Sequence, residues 1–141
     1  MIPADRIADV MGGAEVLHQN VRSFHDLEEV VERGLPKTAL RRVGAFMSRP
    51  MTKLIYKVVP EGTYKRRRAH LSLEESEKTE RLARVIATAL YVWDDADKAR
   101  AFLASPHGLL KDRAPIDVAL TELGARQVEE LLWQIFHGLP L

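Results

Sequence analysis

The stretch VVPEGTYKRRRAHLSLEESE, residues 58–77, places four consecutive cations between a turn and the start of a long helix. Residues 60–62, Pro-Glu-Gly, are predicted to form the tight turn. Thr63 is then predicted to be the N-cap of a short helix that reaches Ala69. Because an apolar-striped helical segment, residues 51–58, precedes the turn, the spacing fits a helix-turn-helix DNA-binding motif.

The four cations of this stretch, residues 65–68, are named here the basic segment. Successive residues of an α-helix are rotated by about 100°, so one or two of the four would face base edges while the others grip phosphates. The alternative is a linker that is charged only for solubility. Tyr64 either contacts DNA or fills the seam between the two helices. The predicted DNA-binding residues are Lys53, Thr63, Tyr64, Lys65, Arg66, Arg67 and Arg68.

The charge of the chain is strongly polarised along its length. Residues 37–68 hold ten Lys or Arg and one acid, Glu61, a net charge of +9 within a chain whose total is +1, so the remainder carries −8. Such polarity indicates that one half binds a polyanion and the other half something else. A solvated basic face is the alternative interpretation.

The apolar residues recur at helical spacing and no alternating strand pattern is found, so the chain is predicted to be all-α. The domains are predicted to be residues 1–70, a helical region with the helix-turn-helix, and residues 71–141, a second helical domain. Helix N-caps are expected at Ser23, Ser72 and Thr121, and a further helix is expected to start at Asp94-Asp95. The predicted helices span residues 3–11, 23–34, 36–46, 51–58, 63–69, 72–93, 95–104, 115–120 and 121–138.

Several function classes are disfavoured by composition. The absence of cysteine excludes disulfides and thiolate zinc sites, and the five histidines fall in five separate segments without a His-Glu-x-x-His pattern. We therefore expect no enzymatic activity, no metal and no cofactor. No apolar stretch reaches the roughly 18 to 20 residues of a membrane helix, and no signal peptide is read, so a cytoplasmic protein is expected.

Residues 71–141 resemble the C-terminal toxin-binding domain of the Xre/MbcA/ParS antitoxins. The motifs that carry the resemblance are LSLEESEKTERLARV at 71–85, DDADKARAFLASPHGLL at 94–110, APIDVAL at 114–120 and TELGARQVEELLWQIFHG at 121–138. GTYKRRR, residues 62–68, lies where these proteins keep the Arg-rich end of an Xre-like helix-turn-helix. The chain departs from the family at residues 111–114, Lys-Asp-Arg-Ala, where many members have a Gly-rich turn.

The resemblance implies a partner and a mechanism. Such antitoxins pair with a RES-domain toxin that consumes nicotinamide adenine dinucleotide, and they obstruct its nucleotide pocket with their C-terminal segment. The antitoxin, or its complex with the toxin, commonly represses its own operon by binding operator DNA. A homodimer within a larger complex is expected, because helix-turn-helix proteins read paired half-sites through two-fold symmetry.

The end of the chain supplies the predicted toxin-binding residues: Arg126, Trp133, His137, Leu139, Pro140 and Leu141. Trp133 is off the apolar stripe of the last helix and is a favoured type of interface anchor. Residues 139–141 form a short apolar tail, although a frayed terminus is the ordinary alternative. For Arg126, pairing with Glu122, Glu129 or Glu130 is favoured slightly over toxin contact.

Some positions and functions remain open at this stage. Phe136 is either core or interface, and Tyr91 is predicted to be core. Gly124 is predicted to allow close approach of a neighbouring helix. One rival function is a stand-alone helix-turn-helix repressor whose C-terminal half only dimerises. Another is a protein-interaction module whose basic segment only adds solubility.

Overall fold

The structure is a computed structural model that describes residues 1–47 and 50–138. The predicted all-α class is confirmed, since the only β-pairing in these ranges consists of two isolated bridges. The helices are α1 (Ala4–Val10), α2 (Gly13–Leu17), α3 (Phe24–Arg33), α4 (Lys37–Met47), α5 (Thr52–Val58), α6 (Glu61–Arg66), α7 (Leu73–Trp93), α8 (Ala96–Ala104), a 3₁₀ turn (Gly108–Leu110), α9 (Pro115–Val118) and α10 (Glu122–Phe136).

The long helix α7 is the centre of the fold. It packs against α1, α3, α4 and α5 from the first part of the chain and against α8 and α10 from the second. Leu82, Val85 and Ile86 in its middle are fully buried. The two parts of the chain therefore share one hydrophobic core, which is built on both sides of a single helix.

Local capping signals place the helix starts. Ser23, Ser72, Asp95 and Thr121 each accept a hydrogen bond from the backbone amide three residues later. The caps at Ser23, Ser72 and Thr121 were predicted. At Ser72 the side chain of Glu75 also accepts a hydrogen bond from the backbone amide of the cap, which completes a capping box. These side chains satisfy amides that have no partner inside the helix.

The helix that contains most of the basic segment differs from the prediction. It begins at Glu61 with Pro60 as its N-cap, so Thr63 lies inside α6 and is not the N-cap. Proline is tolerated at this position because it has no backbone N–H that would need a hydrogen-bond acceptor.

The end of α6 was also placed wrongly. The chain turns extended at Arg67, because the amide of Lys37 donates to the carbonyl of Ala69 and the amide of Leu71 donates to the carbonyl of Leu35. These two bonds hold residues 69–71 beside residues 35–37 and compete with continuation of the helix.

Helix α2 was not predicted, whereas the predicted role of Gly124 is confirmed. A Cβ at Gly124 would lie 1.8 Å from the carbonyl oxygen of Val118. The start of α10 therefore crosses the end of α9 at a distance that only glycine permits. In the part of the chain that the structure describes, no helix is long and apolar enough to span a bilayer.

Candidate functional sites at the two ends of the long helix

The basic segment lies beside the N-terminal end of α7, where α5 and α6 form a helix-turn-helix. Only Val59 and Pro60 separate these two helices. Tyr64 of α6 is 8% exposed, and its ring meets Tyr56 of α5 edge-on with centroids 6.1 Å apart. Lys37 Nζ lies 4.2 Å from the centroid of Tyr64. Tyr64 therefore fills the seam between the helices, the second of its two predicted alternatives.

Hydrogen bonds fix both the side chain and the backbone carbonyl of Arg67. Its guanidinium donates to both carboxylate oxygens of Glu75 at 3.2 and 3.1 Å, and its carbonyl oxygen accepts a hydrogen bond from Lys37 Nζ at 2.9 Å. Burial raises the pKa of Glu75, but hydrogen bonds from Arg67 and Ser72 outweigh it and hold that pKa below its ordinary value of 4.5. Arg67 therefore connects the helix-turn-helix to the capping box of α7.

The remaining predicted residues of this end face solvent to different degrees. Lys65 forms an ion pair with Glu61 one turn earlier, at 2.8 Å. Arg66 is exposed and donates to Thr63 Oγ1 at 3.3 Å, while Arg68 is exposed beyond the helix end. Lys53 is exposed on α5.

A shallow cleft of about 520 Å³ opens beside these cations. None of its six lining residues is acidic, so the cleft is suited to an anion such as a phosphate. The lining residues are Thr63, Arg66, Arg67, Arg68, Ala69 and His70.

An aromatic surface lies at the opposite end of α7, about 30 Å away along its 21 residues. We define it as Tyr91, Trp133, Phe136 and His137. The centroid of Tyr91 lies 5.7 Å from that of Trp133 and 5.4 Å from that of Phe136. His137 stacks beside Trp133 and Phe136 at 6.3 and 5.2 Å.

This aromatic surface is open to solvent. Tyr91 is 39% exposed and Phe136 is 45% exposed, so the prediction that Tyr91 is core was wrong. The guanidinium of Arg6 covers the Tyr91 ring at 5.2 Å. Clustered, partly exposed aromatic rings are typical of the anchors of protein–protein interfaces.

An ion-pair network attaches α10 to α7. Arg84 reaches Glu122 at 3.1 Å, Glu129 at 2.5 Å and Glu80 at 3.5 Å, and Arg81 reaches Glu122 at 3.0 Å. Burial raises the pKa of Glu80. Burial also raises the pKa of Glu122, but hydrogen bonds and charge from Arg81 and Arg84 outweigh it and hold that pKa below its ordinary value.

This network corrects the favoured pairing of Arg126. Glu122 and Glu129 are engaged by Arg81 and Arg84 of α7, which lie closer to them. Arg126 is exposed and forms no ion pair with any residue in the described ranges. Sequence spacing within α10 favoured the local pairs, since the partners on α7 are some 40 residues away along the chain.

The predicted tail, Leu139, Pro140 and Leu141, lies outside the described residues. The last described residues are His137, which is the C-cap of α10, and Gly138 with a φ of +66°. Trp133 and His137, the predicted toxin-binding residues that precede the tail, both belong to the aromatic surface.

Comparison with known proteins gives two domain matches, and each covers one end of α7. One family model, the antitoxin Xre-like helix-turn-helix domain, matches residues 26–84. A second, the antitoxin Xre/MbcA/ParS C-terminal toxin-binding domain, matches residues 88–138. The two matches together take in residues 26–84 and 88–138, and both are domains of Xre-type antitoxins. The first match ends and the second begins inside α7, so the central helix contributes to both.

Two relatives carry the name Antitoxin Xre. The protein of Pseudomonas putida is 35% identical over 71 residues, which are 50% of this chain and 45% of that relative. The protein of Yersinia enterocolitica is 27% identical over 118 residues, which are 80% of each chain. The chain thus matches less than half the length of the first relative and most of the length of the second.

Proposed function

We propose that this chain is the antitoxin of a toxin–antitoxin pair, with operator DNA and a toxin as its two partners. The observation that carries the proposal is the succession of the two family matches, a helix-turn-helix domain followed by a toxin-binding domain on one chain. The domain division at residues 70 and 71 is proposed as the boundary between two main roles: the helix-turn-helix of the first part binds DNA, and the aromatic surface and tail of the second part bind the toxin. Both act in the cytoplasm, where the operator is found.

In the DNA-binding part, Arg66, Arg68 and Lys53 contact the operator. All three are exposed on or beside the helix-turn-helix, and the cleft beside Arg66 and Arg68 is suited to a phosphate. Thr63 and Lys65 lie on the same short helix and complete the contact surface. Tyr64 and Arg67 support this surface without contacting DNA. Tyr64 packs between α5 and α6, and Arg67 is paired with Glu75. A homodimer presents two such surfaces to paired half-sites.

In the toxin-binding part, the partner is a RES-domain toxin that consumes nicotinamide adenine dinucleotide. Trp133 and His137 anchor the contact through the aromatic surface, and Arg126 is an exposed cation without an ion-pair partner in the described ranges. Leu139, Pro140 and Leu141 directly follow this surface in the chain and block the nucleotide pocket of the toxin. The proline limits the conformations of the tail and so lowers the entropy lost on binding.

The toxin-binding part is tested by co-expression with the toxin encoded beside it. We expect the full chain to restore growth and the cellular level of the dinucleotide, and we expect a chain that lacks residues 139–141 to form the complex but fail to restore either. Full rescue by the shortened chain would contradict pocket blocking. Absence of any complex between the full chain and the toxin would favour the stand-alone repressor.

The DNA-binding part is tested with an operator fragment by fluorescence anisotropy at several salt concentrations. The double variant Arg66→Ala/Arg68→Ala is expected to bind about 10- to 100-fold more weakly and to reduce the slope of log affinity against log salt by about 2. The control is Lys98→Ala/Lys111→Ala, which removes two exposed cations from other elements. An equal loss in the control would contradict a localised DNA surface.

A further inference from the structure

A groove of about 910 Å³ runs along one side of α7, between α3 and the first residues of the chain on one wall and α10 on the other. Its floor follows α7 from Leu73 to Thr88, a length of about 22 Å at the rise of an α-helix. A helix of three turns, about 16 Å long and 10 Å wide, has a volume of about 1,200 Å³. The groove therefore has room for the greater part of such a helix.

The walls of the groove combine apolar contacts with acidic charge. Phe24 and Leu73 line it and are 47% and 53% exposed, and Trp133 lies at its other end. Seven glutamates and three arginines line the groove, which gives it a net charge of −4. Arg81 and Arg84 pair with Glu80, Glu122 and Glu129, and the third arginine, Arg126, is exposed on α10. The acidic excess therefore lies mainly on the rim, at Glu28, Glu32, Glu77 and Glu130.

We infer that this groove binds a Lys- or Arg-rich amphipathic helix of the toxin. Apolar side chains inside a negatively charged rim favour a helix with an apolar face and flanking cations. The groove is continuous with the aromatic surface through Trp133, which lines the groove and stacks on Tyr91. This inference rests on the proposed function, because it extends the toxin contact along α7.

A second copy of the chain fits the groove poorly. Two copies that met through this groove around a two-fold axis would place acidic rims against each other. A copy that inserted its basic segment into the groove would withdraw from DNA the cations that are proposed to contact the operator. The charge of the groove therefore favours a different, cationic protein.

The first test uses a synthetic probe in place of the toxin helix: a 15-residue peptide with leucines at helical spacing on one face and lysines beside them. Backbone amide NMR shifts are recorded as the peptide is added at low salt. We expect saturable shifts confined to α3, the first 16 residues of α7, and α10, and no saturable shifts with the same peptide carrying glutamates for lysines. Shifts spread over all acidic surfaces, or none up to about 1 mM peptide, would overturn the inference.

Two matched charge-reversal variants test whether the acidic residues that bind the peptide are those of the groove. Glu28→Lys/Glu32→Lys is expected to weaken peptide binding by about tenfold or more, because it replaces rim acids with cations. Glu15→Lys/Glu29→Lys makes the same change of net charge outside the groove, and Glu29 shares the neighbour His25 with Glu28. This control is expected to bind within about twofold of the unaltered chain. Equal losses in the two variants would contradict the groove as the binding site.

The second test uses the complex with the co-expressed toxin. We expect Glu28→Lys/Glu32→Lys to weaken that complex by about tenfold and the control variant to leave it unchanged. If the unaltered chain forms no complex with the toxin, the proposed function fails. The peptide titration then still tests whether the groove binds a cationic amphipathic helix. If the complex forms and neither variant changes its affinity, the groove inference fails and the proposed function stands.

Discussion

The two ends of α7 are built in different ways. At the basic end, α5 and α6 have seven and six residues, and the chain leaves the helix at Arg67 to pair with residues 35–37. The aromatic end is carried by α7 and α10, the two longest helices in the described ranges, which are joined by an ion-pair network nearer the start of α10. The first turn of α10 also packs closely on α9 at Gly124. At the basic end the exposed cations lie on or beside two short helices, α5 and α6, whereas at the aromatic end the rings lie on two long, packed helices, α7 and α10.

This difference teaches how charge runs and aromatic residues should be interpreted. Of the four consecutive cations, Arg67 and Lys65 are engaged by Glu75 and Glu61, so the run contains fewer free cations than its length indicates. Tyr91 and Phe136, by contrast, have the spacing of core residues and are exposed. If the two ends differ in this way, substitutions at each end should change stability and function differently.

The largest expected effect is at the start of α10, the helix that carries most of the aromatic surface. Gly124→Ala places a Cβ 1.8 Å from the carbonyl oxygen of Val118, a backbone atom that cannot move without shifting α9. We expect the free energy of unfolding to fall by about 3 kcal/mol or more, measured by urea denaturation. Gly108→Ala is the control, since no atom lies within 4 Å of its added Cβ. A loss at Gly124 no greater than at Gly108 would contradict the close packing of α9 and α10.

The ion-pair network is expected to be the next most sensitive feature. Arg84→Met keeps most of the side-chain volume but leaves Glu80 and Glu129, whose side chains are 17% and 25% exposed, without their cation. We expect a loss of about 2 kcal/mol at pH 7. Lys78→Met is the control, because Lys78 pairs with the 82% exposed Glu74 and is expected to change stability by less than about 0.5 kcal/mol.

The loss in the Arg84→Met variant is expected to shrink as the pH falls towards 4.5. Burial raises the pKa of Glu80, so this carboxyl takes up a proton in the folded state above the pH at which it does so when unfolded. Protonation then removes the uncompensated charge. A loss that stays constant from pH 7 to pH 4.5 would argue against Glu80 as the main source of the effect.

The smallest effect is expected at the basic end. Arg67→Ala removes the bidentate partner of Glu75 and is expected to lower stability at pH 7 by about 1 kcal/mol, whereas Arg68→Ala is expected to change it by less than about 0.5 kcal/mol. The folded pKa of Glu75 is below 4.5, so its contribution is present above pH 4.5 and is lost as the pH falls through the folded pKa. Arg67→Ala should therefore flatten the loss of stability below pH 4.5. If the free energy of unfolding falls equally steeply below pH 4.5 in the two variants, the Arg67–Glu75 pair is contradicted.

Local signals were sufficient for most of the fold. The caps at Ser23, Ser72, Asp95 and Thr121 depend on a side chain and an amide three residues apart, so the sequence reveals them directly. The end of α6 was mispredicted because it is determined by backbone hydrogen bonds to residues 35–37, which no local pattern reports. The close approach at Gly124 was predictable because glycine weakens a helix, so its presence in the first turn indicates a steric requirement.

The candidate sites were less predictable than the fold. Side chains that pair across about 40 residues, such as Arg81 and Arg84 with Glu122, change which charges are free, and sequence spacing identifies only partners on the same helix. The groove escaped prediction for the same reason, since its two walls come from α3 and α10. A signal was present at Phe24, a large apolar residue that follows the N-cap Ser23 and lies outside the stripe of Leu27, Val30 and Val31.

Whether the two ends of α7 serve separate partners can be measured in a single reporter strain. The strain carries the toxin gene and an operator-driven fluorescent reporter, so survival and repression are measured in the same cells. We expect Arg66→Ala/Arg68→Ala to lose repression and keep survival, and Trp133→Ala/Phe136→Ala to keep repression of the operator and lose survival. If either variant, folded to the level of the unaltered chain, loses both outputs, the separation of the two surfaces is contradicted.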